Sequence, residues 1–165
     1  MGDHLSTYLN DHFAGSTGGL ELARRAAESN DGTELGTVLS RIAAEIDEDR
    51  AVLKSVMDAL EIQENPVKAA TAWAGEKAAR LKPNDMLTGY SPLSQMVELE
   101  GLSLGIEGKR MLWLVLAERS DPRLTAFDFP ELARRAERQR GELEPYRRSA
   151  AATAFSDTAP ERSTS

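Results

Sequence analysis

The chain has 165 residues, a formal net charge of −7 at pH 7, no cysteine and two histidines, His4 and His12, near its start. This composition excludes disulfides, cysteine nucleophiles, thiolate metal sites and zinc sites that take histidines from separate elements, and the acidic balance argues against a nucleic-acid partner. Because no apolar run approaches the ~20 residues that cross a membrane and no secretory signal pattern is present, we expect a cytoplasmic protein without a membrane partner.

Hydrophobic periodicity and capping signals predict five helices. Thr33 follows an Asn-Asp-Gly stop and caps the second helix, while Pro66 and Pro92 each follow a capping residue at the start of a helix. Pro145 should kink or end the last helix near Glu144. In chain order the predicted ranges are about 3–29, 33–63, 66–81 and 91–120, and the fifth helix starts near 130.

The connection lengths predict the topology of the bundle. Short connections join the first two and the last two long helices, so each pair should form an antiparallel hairpin. Residues 64–91 can return the chain along a helix of ~45 Å, which would leave the second and fourth helices parallel. The predicted fold is all-α: a four-helix bundle at 1–152, made of two antiparallel hairpins joined by a long crossover with a short fifth helix, and then a disordered tail at 153–165.

Acidic residues interrupt the apolar stripes of two helices. The stripe of the second helix is apolar except for Asp49, and one stripe of the fourth helix contains Glu100 and Glu107. Burying an ionised carboxylate is costly unless it is paired or metal-bound, so we expect a basic partner within hydrogen-bond reach of Glu107. The predicted polar core layer consists of His12, Asp49, Glu100, Glu107 and Gln139, with Tyr8, Glu45 and Arg135 at its margin.

The fourth helix carries a second stripe about 160° away from the acidic one. A helix that is apolar on two sides must be covered on two sides, so this stripe requires either the crossover with Trp73 or another copy of the chain. Apart from Lys109 its members are apolar, and they form the predicted homodimer face: Leu99, Leu102, Ile106, Trp113 and Leu116.

The two-hairpin topology, with Tyr-Leu-Asn-Asp-His at 8–12 and the segment 100–109, resembles uncharacterised bacterial members of the ferritin-like superfamily. Catalytic members hold two iron or manganese ions with a Glu from each of two helices and a Glu-x-x-His from each of the other two. Glu100 or Glu107 matches a single-Glu position. Both Glu-x-x-His motifs are absent, since the second helix has Glu-Ile-Asp-Glu-Asp at 45–49 and the last helix has no inward Glu.

Three functions are compatible with these residues. The favoured one is a non-catalytic ferritin-like bundle that acts through its surface or as a homodimer and needs no cofactor; its core acids would be balanced by Lys109, Arg110, Arg135 or His12. The second is an iron or manganese protein with oxidase-like or storage activity, whose candidate ligands are His12, Glu45, Asp49, Glu100 and Glu107. The third is a small-ligand binder with a cavity left by Gly15, Ser16 and Gly19. On these residues we expect a protein without enzymatic activity.

Overall fold

The computed structural model describes residues 3–65 and 89–156. These residues form four α-helices and no strand, which confirms an all-α, four-helix architecture. The helices are α1 (Asp3–Ser29), α2 (Glu34–Ala59), α3 (Pro92–Ala117) and α4 (Phe129–Ala154), with a 3₁₀ turn (Pro122–Leu124) before α4. The predicted short helix at 66–81 and the part of the predicted tail at 157–165 lie outside the described residues.

Capping residues determine where two of the helices begin. Thr33 Oγ1 accepts a hydrogen bond from Gly36 N at 3.0 Å, and Ser91 Oγ accepts one from Ser94 N at 3.1 Å. Each bond satisfies a backbone N–H that has no partner inside its helix. The predicted starts of α2 and α3 are therefore confirmed.

The end of α2 comes earlier than the sequence predicts. Its last residue is Ala59, where the predicted helix continued to about 63. Glu61 adopts a left-handed φ of 58°, and Ile62 N donates to Met57 O at 2.9 Å. That bond closes a Schellman-type helix end, whose left-handed position is usually glycine. A glutamate there carries no stop signal, which explains the difference.

Of the two predicted effects of Pro145 on α4, a kink or an end, the end is wrong. The helix continues through Pro145 to Ala154. Proline removes one hydrogen bond to the carbonyl four residues earlier, here that of Gly141. Leu143 and Ala150, on either side of the proline, are 1% and 3% exposed. Their burial in the core stabilises the helix across the missing bond.

Contacts between helices establish their directions. Early residues of α2 pair with late residues of α4, as in Arg41 with Glu142, and later ones pair with early residues, as in Glu48 with Arg135. α2 and α4 are therefore antiparallel neighbours. The first halves of α2 and α3 share one hydrophobic cluster and their second halves share another, so these two helices run in the same direction.

The described residues on either side of 66–88 lie at opposite ends of the bundle. Near one end, Asn65 N donates to Asn10 Oδ1 at 2.7 Å, at the start of α1. Near the other, Tyr90 accepts a hydrogen bond from Asn30 Nδ2 at 3.0 Å, in the turn between α1 and α2. The two hairpins are therefore connected from one end of the bundle to the other.

The two faces of α3 are the reverse of what the sequence analysis assumed. The predicted homodimer face is buried inside the single chain, with exposures of 1–2% for Leu99, Leu102, Ile106, Trp113 and Leu116. On the acid-bearing stripe, Leu104 and Met111 are 62% and 53% exposed. The dimer face assigned to those five residues is therefore wrong. Periodicity identifies two apolar stripes, but it does not say which one meets the other helices.

Candidate functional site

A cavity of about 400 Å³ lies between α1 and α3 and reaches α2. Five glycines line it: Gly15, Gly19, Gly101, Gly105 and Gly108. A Cβ atom added to four of them would meet no heavy atom within 4 Å, and at Gly101 it would meet only Leu22 Cδ2, at 3.4 Å. The glycines therefore leave open space and do not bring two helix backbones into close contact.

The wall of the cavity is mainly apolar, and one side opens to solvent. Ile46 and Leu53 of α2 and Leu102 of α3 contribute to the wall and are buried in the bundle core. Leu104 also lines the cavity and is 62% exposed, so it lies at the opening. Apolar lining with a few polar groups is typical of small-molecule sites.

Trp113 lines the cavity and carries an unsatisfied hydrogen-bond donor. The residue is 1% exposed, and its ring stacks on Phe129 with 6.0 Å between centroids. Its indole Nε1–H has no acceptor among the described residues. A buried donor without a partner costs about 1–3 kcal/mol of stability.

His12 and Tyr8 lie on the α1 side of the same cavity. Their rings meet edge to face, with 4.6 Å between centroids. Burial lowers the pKa of His12 and so favours the neutral imidazole, whereas the charge of Asp11 opposes that shift. His12 has no hydrogen bond within the described part of the chain, and it can therefore offer one donor and one acceptor.

A buried polar network adjoins the cavity, which two of its members, Asp49 and Lys109, help to line. Lys109 Nζ donates to Asp49 Oδ2 at 2.5 Å and to Gln139 Oε1 at 2.7 Å. Arg135 donates to the other oxygen of Asp49, and Gln139 Nε2 donates to Glu45 Oε2 at 2.8 Å. Burial lowers the pKa of Lys109, and the charge of Asp49 opposes that shift. The network links α2, α3 and α4.

The five residues of the predicted polar layer do not converge on one point. Asp49 and Gln139 are 2% and 1% exposed and belong to the network. His12 lines the cavity without joining the network. Glu100 and Glu107 lie on the outer side of α3, the face on which Leu104 and Met111 are exposed.

Arginines pair with both outer glutamates. Glu107 accepts hydrogen bonds from Arg110 at 3.0 and 2.9 Å and from Arg140 at 2.5 Å, which confirms the predicted basic partner. The bonds from Arg110 lower the pKa of Glu107. Glu100 accepts one from Arg147 at 3.1 Å.

The residues do not fit the metal site that the family resemblance implies. Within 3–65 and 89–156, no three His, Asp or Glu side chains come together in a way that could hold a metal ion. Both oxygens of Asp49 accept from cationic groups, and Glu45 is bonded to Arg41 and Gln139. The candidate ligands His12, Glu45, Asp49, Glu100 and Glu107 therefore do not form one coordination sphere.

Sequence reasoning identified part of this site. It placed the glycines of α1 beside a cavity and proposed Lys109 and Arg135 as partners of the core acids. It missed the glycines at 101, 105 and 108, although their spacing of four and three places them on one helix face. It placed Trp113 on a dimer face and did not identify its unsatisfied N–H, which has no sequence signal.

Comparisons with protein-family models, curated proteins and solved structures find no significant match to the chain. Among the described helices, none is long and apolar enough to cross a membrane. A functional interpretation therefore depends on the cavity and the network beneath it.

Proposed function

We propose that this chain is a ligand-binding helical bundle that holds a small, mainly apolar organic molecule between α1 and α3. The cavity, at about 400 Å³, lies within the range of ~300–1,000 Å³ of small-molecule pockets. The observation that carries the proposal is the open space at Gly15, Gly19, Gly105 and Gly108.

The cost of these glycines supports a role beyond packing. Each glycine inside a helix costs about 1 kcal/mol relative to alanine, so four cost roughly 4 kcal/mol. Close packing of two backbones could offset this cost, but no neighbour lies within 4 Å of the four Cβ positions. A bound ligand would recover stability by filling the space and burying apolar surface.

The ferritin-like assignment is part of the same proposal. Two antiparallel hairpins, with α2 and α3 running in the same direction, support it. The bundle would then be a non-catalytic member in which the cavity and a Lys109–Asp49 ion pair occupy the middle of the bundle. Lys109 is already engaged by Asp49 and Gln139, which favours a structural role for its amine.

Filling the cavity tests the proposal. N-phenyl-1-naphthylamine, a neutral dye whose fluorescence rises in apolar sites, should bind the wild-type protein. Gly105→Leu should weaken this binding at least about tenfold, because the added side chain occupies the open space beside Gly105.

Gly141→Leu is the matched control. Gly141 is an exposed glycine of α4 whose added Cβ also meets nothing within 4 Å, but it does not line the cavity. This variant should bind the dye as the wild type does. No binding by the wild type, or equal loss in both variants, would contradict a ligand site between α1 and α3.

A further inference from the structure

His12 is a titratable side chain in the wall of the cavity between α1 and α3. Its ring meets that of Tyr8 edge to face, and within 3–65 and 89–156 it makes no hydrogen bond and no ion pair. Unlike the indole nitrogen of Trp113, neither ring nitrogen of His12 is fully buried. Water can therefore reach the imidazole, and its charge depends on how well the cavity solvates it.

The charges around the imidazole balance only while it is neutral. Among the described residues, four other charged side chains line the cavity: Asp11 on α1, Asp49 and Arg50 on α2, and Lys109 on α3. Two are acidic and two are basic, so the lining has no net charge with a neutral imidazole and one positive charge with an imidazolium.

Neither acid of the lining is well placed to balance that extra charge. Asp49 already accepts from Lys109 and, on its other oxygen, from Arg135 of α4. Asp11 raises the pKa of His12, but burial has the larger effect and lowers it. The side chain of Asp11 is exposed, so water and salt screen its charge. Loss of solvation is therefore the main influence on His12.

On the premise that the cavity binds an apolar molecule as proposed above, we infer that binding is coupled to the protonation of His12. The site holds its ligand with the imidazole neutral and loses affinity when the imidazolium forms in acid. An apolar body beside the ring replaces the water that solvates the imidazolium. The pKa of His12 is then lower in the bound protein than in the free protein, so affinity is full above the free-protein pKa and falls as the pH drops through it.

The affinity of N-phenyl-1-naphthylamine at two pH values tests this coupling. The aromatic amine of the dye stays neutral at both, and circular dichroism establishes that the helices remain folded. The affinity of the full chain should fall at least about fivefold between pH 7.5 and pH 4.5, since a difference of one in pKa between free and bound protein is a tenfold change. In His12→Gln the ratio should be below about two, because an amide side chain does not titrate here.

His4→Gln is the matched control. His4 is the other histidine of the chain; it is exposed and does not line the cavity. This variant should keep the pH dependence of the wild type. It also leaves one histidine, so the imidazole signal in a ¹H–¹³C NMR spectrum reports His12 alone. The pKa of His12 measured from that signal should be lower with saturating dye than without it, and this measurement does not need His12→Gln to fold.

Each outcome bears on a separate claim. Equal or tighter binding at pH 4.5, or an unmoved pKa of His12 in the dye complex, would overturn the inference while leaving the cavity as a binding site. A fall in affinity that persists in His12→Gln would assign the pH dependence to another group and overturn it as well. If the dye does not bind at pH 7.5, the proposed function fails, and the coupling fails with it.

Discussion

Asp49 shows how a charged side chain is accommodated in the core of this bundle. The residue is 2% exposed, and unpaired burial of its carboxylate would cost several kcal/mol. Lys109 and Arg135 occupy its two oxygens, and they come from α3 and α4. The ion pairs therefore stabilise one particular arrangement of three helices, in the way that buried polar residues specify register elsewhere.

Removing Asp49 should be strongly destabilising. Asp49→Ala leaves the ammonium of Lys109, whose side chain is 14% exposed, without its carboxylate. We expect the free energy of unfolding to fall by about 3 kcal/mol, because an uncompensated buried charge remains. Urea denaturation followed by circular dichroism measures this change.

Asp47→Ala is the matched control on the same helix. Asp47 pairs with Arg24 at 3.0 Å, but both side chains are more than half exposed. Its loss should cost less than about 1 kcal/mol. Similar losses for the two variants would show that the buried network contributes no more than a surface ion pair.

Residue patterns predicted some polar positions and misplaced others. Asp49 and Gln139 were identified because each interrupts an unambiguous apolar stripe of an amphipathic helix. Glu100 and Glu107 were placed in the core because α3 has two apolar stripes, and the stripe with the acids was taken as the inner one. The structure resolves the choice, because Leu104 and Met111 on that stripe are more than half exposed.

Among the sequence signals for helix boundaries, capping residues gave the most accurate predictions. Thr33 and Ser91 begin α2 and α3 as predicted, because each side chain bonds a local backbone donor. The end of α2 at Ala59 was not predicted, and the sequence did not decide whether α4 would continue through Pro145 or end there. Both depend on tertiary packing or on an unusual backbone conformation, to which local sequence signals are insensitive.

Pro145 should be a site where α4 can be stabilised. Pro145→Ala restores the backbone N–H that can donate to Gly141 O and removes the ring from the helix interior. The free energy of unfolding should rise by about 1–3 kcal/mol. Thermal unfolding monitored by circular dichroism would detect this as a higher midpoint.

Ser149→Ala in the same helix provides the comparison, since Ser149 is exposed and an exposed substitution is usually within ~0.5 kcal/mol of neutral. An unchanged or lower free energy of unfolding in Pro145→Ala would contradict the prediction that proline destabilises α4 at this position.

Across the whole molecule, the cavity and the polar network share Lys109. The network lies where α2, α3 and α4 meet, and the cavity lies between α1 and α3 above it. Sequence reasoning placed a cavity beside Gly15 but could not locate its opposite wall, because that requires knowing which face of α3 meets α1. The bundle therefore places a buried ionic network beside an open space that its glycines keep free of side chains.

The most direct test of a cavity kept for a ligand is the unfolding of wild type and Gly105→Leu, each with and without N-phenyl-1-naphthylamine. Without the dye, Gly105→Leu should be more stable than wild type by about 1–2 kcal/mol, because it replaces a helical glycine and fills apolar space. The dye at 100 times its wild-type dissociation constant should stabilise the wild type by about 2.7 kcal/mol and the variant by at most about 1.4 kcal/mol, the value for a tenfold weaker site. A variant less stable than wild type, or equal stabilisation of both proteins by the dye, would contradict a cavity kept open for a ligand.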